Sequence, residues 1–137
     1  GLDVTYVDLP GVCADFARFR WQQLGVSERI SPLSPDEFWK SPNDRFGMIV
    51  SIEVLEHLEN PVHHAARYLE LLETGGLLVV TACFKHGPRN PDHRPENDAY
   101  RRIFGGEVWT RRRCVLTNLG FRWRRWWLFE KPPEAAH

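Results

Sequence analysis

Apolar residues recur along the chain with two periods, and their alternation lays out an order of elements. Over Asp3–Val7 the β-formers Val4, Thr5, Tyr6 and Val7 run into Asp8-Leu9-Pro10-Gly11, which reads as a strand ending in a turn. From Val12 to Leu24, Cys13, Phe16, Ala17, Trp21 and Leu24 fall at helical spacing, and Gly25 supplies the stop. Ile30–Leu33 reads as a short strand. Ser34-Pro35-Asp36-Glu37 reads as a helix start, with proline at the first helical position and acids in the first turn. Phe46–Ile52 is a nearly continuous apolar run, as expected of a strand covered on both faces. A helix over Pro61–Leu72 carries the stripe Val62, Ala65, Ala66, Tyr68, Leu69 and Leu72. Thr74-Gly75-Gly76 ends it, and Leu77–Thr81 is the next strand. Strands alternating with helices imply an α/β fold with a doubly wound, mostly parallel sheet.

Beyond Ala82 the periodicity stops. Cys83–Asn97 holds Pro88, Pro91, Pro95 and Gly87 together with His86 and His93, and reads as one long loop. Such a loop inside a compact domain is more often functional than idle. A helical pattern returns over Val108–Leu119, Gly120 closes it, and Phe121–Phe129 reads as a last strand. There is no internal repeat and no dividing linker, so a single domain over residues 1–137 is expected.

Composition narrows the class. The chain has 137 residues, 42% of them hydrophobic, enough to bury a core, which excludes collagen-like, low-complexity and disulfide-stapled chains. Its longest apolar runs fall far short of the roughly 20 residues that span a bilayer, so no membrane partner is expected. Nothing reads as a leader, and Cys13, Cys83 and Cys114 are widely spaced with no Cys-x-x-Cys pattern; a cytoplasmic protein is the expectation. The net charge of zero conceals a split: 6 basic against 12 acidic residues over 1–76, and 12 against 6 over 77–137. A basic half suits either an anionic partner or contact with the acidic half.

An acid at the carboxyl end of a parallel strand stands where α/β proteins bind ligands, and Asp8 has that position, suited to accepting both hydroxyls of a ribose. Asp-x-Pro-Gly is equally good turn chemistry. The most specific segment runs from Phe46-Gly47-Met48-Ile49-Val50-Ser51-Ile52 through Glu53-Val54-Leu55-Glu56-His57-Leu58, then Leu69-x-x-Leu72 and Gly75-Gly76-Leu77-Leu78-Val79-Val80-Thr81. With Val4–Leu9 as a second strand, it resembles the class I S-adenosylmethionine-dependent methyltransferases over roughly residues 3–81. The resemblance implies a Rossmann-like sheet, S-adenosylmethionine as cofactor and methyl transfer to a small-molecule acceptor. It implies that Asp8 holds the cofactor ribose and that Leu9 packs near the adenine. It further implies that Ser51, Ile52 and Glu53 face the methionine portion, and it matches Asp36 to an acid near the adenine amino group. His57, one turn beyond Glu53, is the candidate base, and His86 and His93 lie on the expected substrate loop.

The departures from the family are as informative. The glycine-rich G-x-G-x-G loop and the strand before it are absent, although those glycines let the backbone approach the cofactor. In the family that first strand lies between the second and fourth strands. The two best strands here are therefore expected to pair directly, to leave a gap, or to recruit a strand from another copy in a homo-oligomer. The chain reads as an incomplete methyltransferase domain, or the C-terminal portion of one. A non-catalytic remnant acting in assembly is the rival reading.

Read as metal ligands, Glu53, Glu56 and His57 stand on neighbouring turns, with His86 or His93 as a fourth. A related arrangement binds a divalent ion in the small-RNA 2′-O-methyltransferases, which this segment also resembles. The same letters occur in metal-free small-molecule methyltransferases, and the metal-free reading is preferred here. Phe121-Arg122-Trp123-Arg124-Arg125-Trp126-Trp127 mixes cations and aromatics as nucleic-acid surfaces do, but an edge strand with arginines toward water suits a neutral chain better. A nucleic-acid partner is not expected.

Overall fold

The structure, a computed structural model, describes residues 1–40, 45–99, 111–112 and 126–131. It divides into two compact units, Gly1–Asp44 and Arg45–His137.

In the first unit, β1 (Val4–Val7) pairs in parallel with β2 (Ile30–Leu33), from Val4 against Ile30 to Val7 against Leu33. Helix α1 (Val12–Leu24) connects them, so strand, helix and strand form one βαβ turn. Gly25 ends α1 in the left-handed region (φ 66°), its N–H donating to the Gln22 carbonyl while that of Val26 donates to Trp21. This closes the free carbonyls at the helix end. Helix α2 (Pro35–Lys40) starts where expected. The Ser34 N–H and hydroxyl both donate to the Glu37 carboxylate (2.7 and 2.6 Å), and the Glu37 N–H donates back to Ser34 Oγ at 3.3 Å, a reciprocal cap. The face that α1 buries is narrower than its apolar stripe: Ala14 is buried and Trp21 half-buried, while Phe16 and Leu24 are 62% and 61% exposed.

In the second unit the sheet order is β3 (Phe46–Ile52), β4 (Leu72–Thr81), β6 (Trp126–Glu130), β5 (Arg111–Arg112). β3 and β4 are parallel, and β6 is antiparallel to both β4 and β5. Helix α3 (Pro61–Leu71) joins β3 to β4. Pro61 takes its first position, the Asn60 side chain accepts from the His63 N–H, and the Lys131 ammonium donates to the Glu70 and Leu72 carbonyls at its other end. Ala65, Tyr68 and Leu71 of α3 are buried, as are Leu78 and Val80 of β4; Phe129 of β6, paired with Leu78, is buried with them.

Four sequence expectations are corrected. Thr74-Gly75-Gly76 is not a turn outside the sheet but part of β4, which begins at Leu72. The strand pairing jumps from Phe46–Leu72 to Met48–Leu77, and the Gly75 N–H and Gly76 carbonyl bond to Lys131. The glycines serve this irregularity: Gly75 has φ 76°, and a Cβ at Gly76 would stand 2.8 Å from the Glu73 carbonyl oxygen and 3.1 Å from that of Phe46. Arg111 and Arg112, inside the expected helix over Val108–Leu119, form β5, because pairing with β6 outweighs local helical spacing; the rest of that expected helix lies outside the described residues. The Trp126–Glu130 strand is flanked by β4 and β5 and is not an edge, while residues 121–125 of the expected strand lie outside the described residues. Finally, β3 is not covered on both faces among the described residues: Met48, Val50 and Ile52 are 54%, 54% and 46% exposed.

Among the described residues, β1 is one strand of a two-stranded sheet and β3 is an end strand of a four-stranded one. No helix among these residues is long and apolar enough to cross a membrane. Cys13 and Cys83 are free thiols.

Candidate functional site

In the first unit, the carboxyl ends of β1 and β2 open into a cavity of about 170 Å³ whose lining includes Tyr6, Asp8, Arg18, Trp21 and Glu37. That is below the roughly 300–1,000 Å³ of pockets that enclose a drug-sized ligand, so it accommodates a fragment such as a sugar or one ring. Asp8 is held firmly: the Tyr6 hydroxyl donates to Oδ2 at 2.6 Å and the Leu9 N–H to Oδ1 at 2.8 Å. A carboxylate offers about four lone-pair positions, so each oxygen keeps one for a ligand. The donated hydrogen bond, burial and the neighbouring negative charge push the Tyr6 hydroxyl up to about 12, so it stays a donor. The Trp21 ring meets Tyr6 edge-on at 5.0 Å and fixes it from the helix side.

Of the other residues expected here, Leu9 is 69% exposed. Asp36 is exposed and is not among the cavity residues; Glu37, one position on, is. The Ser34 hydrogen bonds hold the Glu37 carboxyl below its ordinary value.

In the second unit the chemistry gathers at the carboxyl end of β3. Ser51 is buried and Ile52 lies on the open face. Glu53 then takes a left-handed conformation (φ 53°), costly for a residue with a Cβ. Its N–H donates to the Thr81 carbonyl and hydroxyl (2.9 and 3.2 Å), tying the ends of β3 and β4 together, and its Oε1 is buried without a hydrogen-bond partner. A short 3₁₀ turn, Leu55–His57, follows. Leu55 and Glu56 are fully buried and His57 is exposed.

The loop after β4 folds back onto this turn. The Glu56 carboxylate accepts the Cys83 N–H at 2.9 Å through Oε1, and its Oε2 has no partner. The Asn97 amide, fully buried, donates to the Glu56 and Leu58 carbonyls (3.1 and 2.8 Å), and the Arg94 N–H also donates to the Glu56 carbonyl. His57 Nδ1 lies 3.2 Å from the Asp92 carbonyl and His93 Nδ1 3.2 Å from that of Lys85; the two rings meet edge-on at 5.0 Å. His86, exposed, reaches the His93 carbonyl through Nδ1 at 2.6 Å.

The structure thus brings Glu56, His57 and His93 together and leaves Glu53 and His86 outside that cluster. His63 and His64 lie on α3, where burial lowers the His64 pKa. Asn97 had no signal in the sequence, since its role exists only once residue 97 reaches residues 56–58. Tyr6 was legible as a strand residue but not as the support of Asp8.

No protein-family model matches the chain, and no curated protein does either. Among solved structures it is similar to the [4+2]-cyclase SpnF, at TM-score 0.52 and 22% identity over 59% of this chain and 30% of SpnF. It is also similar to PigF with SAH, S-adenosylhomocysteine, at TM-score 0.55 and 14% identity over 96% of this chain and 44% of PigF. The chain therefore spans less than half the length of either. The fold is Rossmann-like and methyltransferase-like, as in these neighbours.

Proposed function

We propose that this chain binds S-adenosylmethionine and serves the transfer of its methyl group to a small-molecule acceptor. The observation that carries the proposal is the Asp8 carboxylate, fixed by Tyr6 and Leu9 at the end of β1, with one lone pair left on each oxygen beside a cavity of fragment size. Support comes from the fold shared with PigF, whose structure contains SAH. The cofactor brings the reactive methyl, so the chain's residues contribute binding and orientation. Asp8 accepts the ribose hydroxyls and Leu9 packs near the adenine. Ser51, Ile52 and Glu53 contact the methionine portion, where the unpartnered Glu53 Oε1 suits its ammonium group. His57 and the loop bearing His86 and His93 meet the acceptor.

Calorimetric titration with S-adenosylhomocysteine tests the reading. Saturable binding is expected, weakened at least about tenfold in Asp8→Asn, since a hydrogen bond to a charged group contributes roughly 1.5–3 kcal/mol. No heat at millimolar ligand would overturn it and leave a non-catalytic module of the same fold.

A further inference from the structure

The first unit is built around a space where a core would stand. Its cavity of about 170 Å³ takes lining from every element of the unit: Tyr6 from β1, Ala14, Arg18 and Trp21 from α1, Leu33 from β2 and Glu37 from α2. Around it little is covered. No residue of β1 or β2 is buried, and Ala14 and Phe38 are the only buried apolar side chains among residues 1–40.

The unit's other bonding is weak by itself. Parallel pairing is less stable per residue than antiparallel and is ordinarily covered on both faces, and here it runs over four residue pairs. The helices, of 13 and 6 residues, are at or below the length at which an isolated helix persists in water. The ion pairs Arg18–Asp15 and Arg29–Asp3 join exposed groups and contribute little. The elements meet along the cavity wall. There Trp21 of α1 stands against Tyr6 of β1, the Tyr6 hydroxyl donates to Asp8, the Asp8 N–H donates to the Leu33 carbonyl, and Ser34 bonds Glu37.

A molecule in that space touches all four elements at once, and does so only when they are assembled. We propose that the first unit is a folding unit controlled by its ligand: empty, it opens as one body while the second unit, with its own core, stays folded; filled, it closes. The proposal rests on the reading that S-adenosylmethionine occupies this cavity. Local opening is governed by the stability of the segment that opens and not by that of the whole chain. A ligand that binds the assembled form alone lowers the opened fraction by one plus the ratio of free ligand to Kd, about 100-fold at a hundred times Kd. The same coupling reduces the apparent affinity by the fraction of empty chain that is assembled.

Amide hydrogen exchange of the full chain, without ligand and with S-adenosylhomocysteine at about a hundred times its calorimetric Kd, tests the proposal. Without ligand, β1, α1, β2 and α2 are expected to exchange through one common opening, faster than the interior of β4. With ligand the whole unit should slow by about 100-fold while β4 is unchanged. That slowing must include Arg20 and Gln22, exposed residues of α1 that do not line the cavity. Protection confined to cavity-lining residues overturns the proposal, as does an empty unit that exchanges as slowly as β4. Gln23→Gly, at an exposed position of α1, should raise exchange about fivefold in β1 and β2 as well as in α1, the helix penalty of glycine passed through the common opening. An effect limited to α1 contradicts the single body. Calorimetry separates the two claims. No heat with S-adenosylhomocysteine removes the cofactor reading and the control by it together, whereas heat with unchanged exchange at Arg20 and Gln22 removes the control alone.

Discussion

The two units use the same alphabet of elements and reach different degrees of burial. The first, β1–α1–β2–α2, buries two apolar side chains, Ala14 and Phe38, among its described residues, and leaves Val12, Phe16, Phe19 and Leu24 exposed. Among its described residues the second buries ten, including Leu55, Leu71, Leu72, Leu78, Val80 and Phe129 at 3% exposure or less. A two-stranded sheet is marginal in water, whereas a sheet of more strands with a helix and a loop packed on it sustains a core. The chemistry follows the same division. The first unit offers a cavity around one well-held carboxylate, and the second offers a desolvated Glu/His cluster that only a real interior permits.

The largest expected effect separates the two interiors. Leu78→Ala should destabilise the second unit by about 2–5 kcal/mol, the cost of a large-to-small change at a fully buried site, whereas Phe16→Ser should change stability by less than about 0.5 kcal/mol. Denaturant midpoints check both, and an equal loss would mean that the exposed face of α1 is in fact covered. Next comes Asn97→Ala, which removes the donor from two carbonyls and should cost about 1–3 kcal/mol while making the loop easier to cleave at Arg89. Ser34→Ala should cost about 1 kcal/mol through the lost cap. If the first unit opens on its own, that loss appears as faster hydrogen exchange in α2 with global unfolding unchanged.

The smallest effect is a pH dependence. Burial, then the His63 charge, lowers the His64 pKa, so the unfolded chain binds the proton more readily than the folded one. Stability from this group is present above the ordinary histidine value and is lost as pH falls through the lowered one. His64→Gln should flatten the stability profile on the acid side, and an unchanged profile would remove His64 from the balance.

Local pattern carried the sequence reading a long way where one element depends on its own residues. The bounds of α1, β2 and β3, the Gly25 stop and the Asn60-Pro61 start follow from side-chain period and end chemistry. It failed where a distant segment decides. Gly75 and Gly76 look like a turn until Lys131 takes their backbone bonds, and Arg111–Arg112 looks helical until β6 lies beside it. The candidate site divides similarly. Asp8 and the Glu53–His57 segment were legible from their position after strands. That His93 rather than His86 joins Glu56, and that Asn97 holds the turn, depends on how the loop after β4 folds back. The broad apolar stripe of α1 and the run of β3 each promised more burial than the described residues supply.

Hydrogen exchange with and without S-adenosylhomocysteine tests the central claim most directly. Without ligand, the amides of β3 and β4 should exchange slowly and those of β1 and β2 faster. At saturating ligand the account predicts slowed exchange at Val7–Leu9 and at Ser51–Glu53, with the interior of β4 unchanged. Exchange at Asp8 and Leu9 that stays as fast with ligand as without would contradict it.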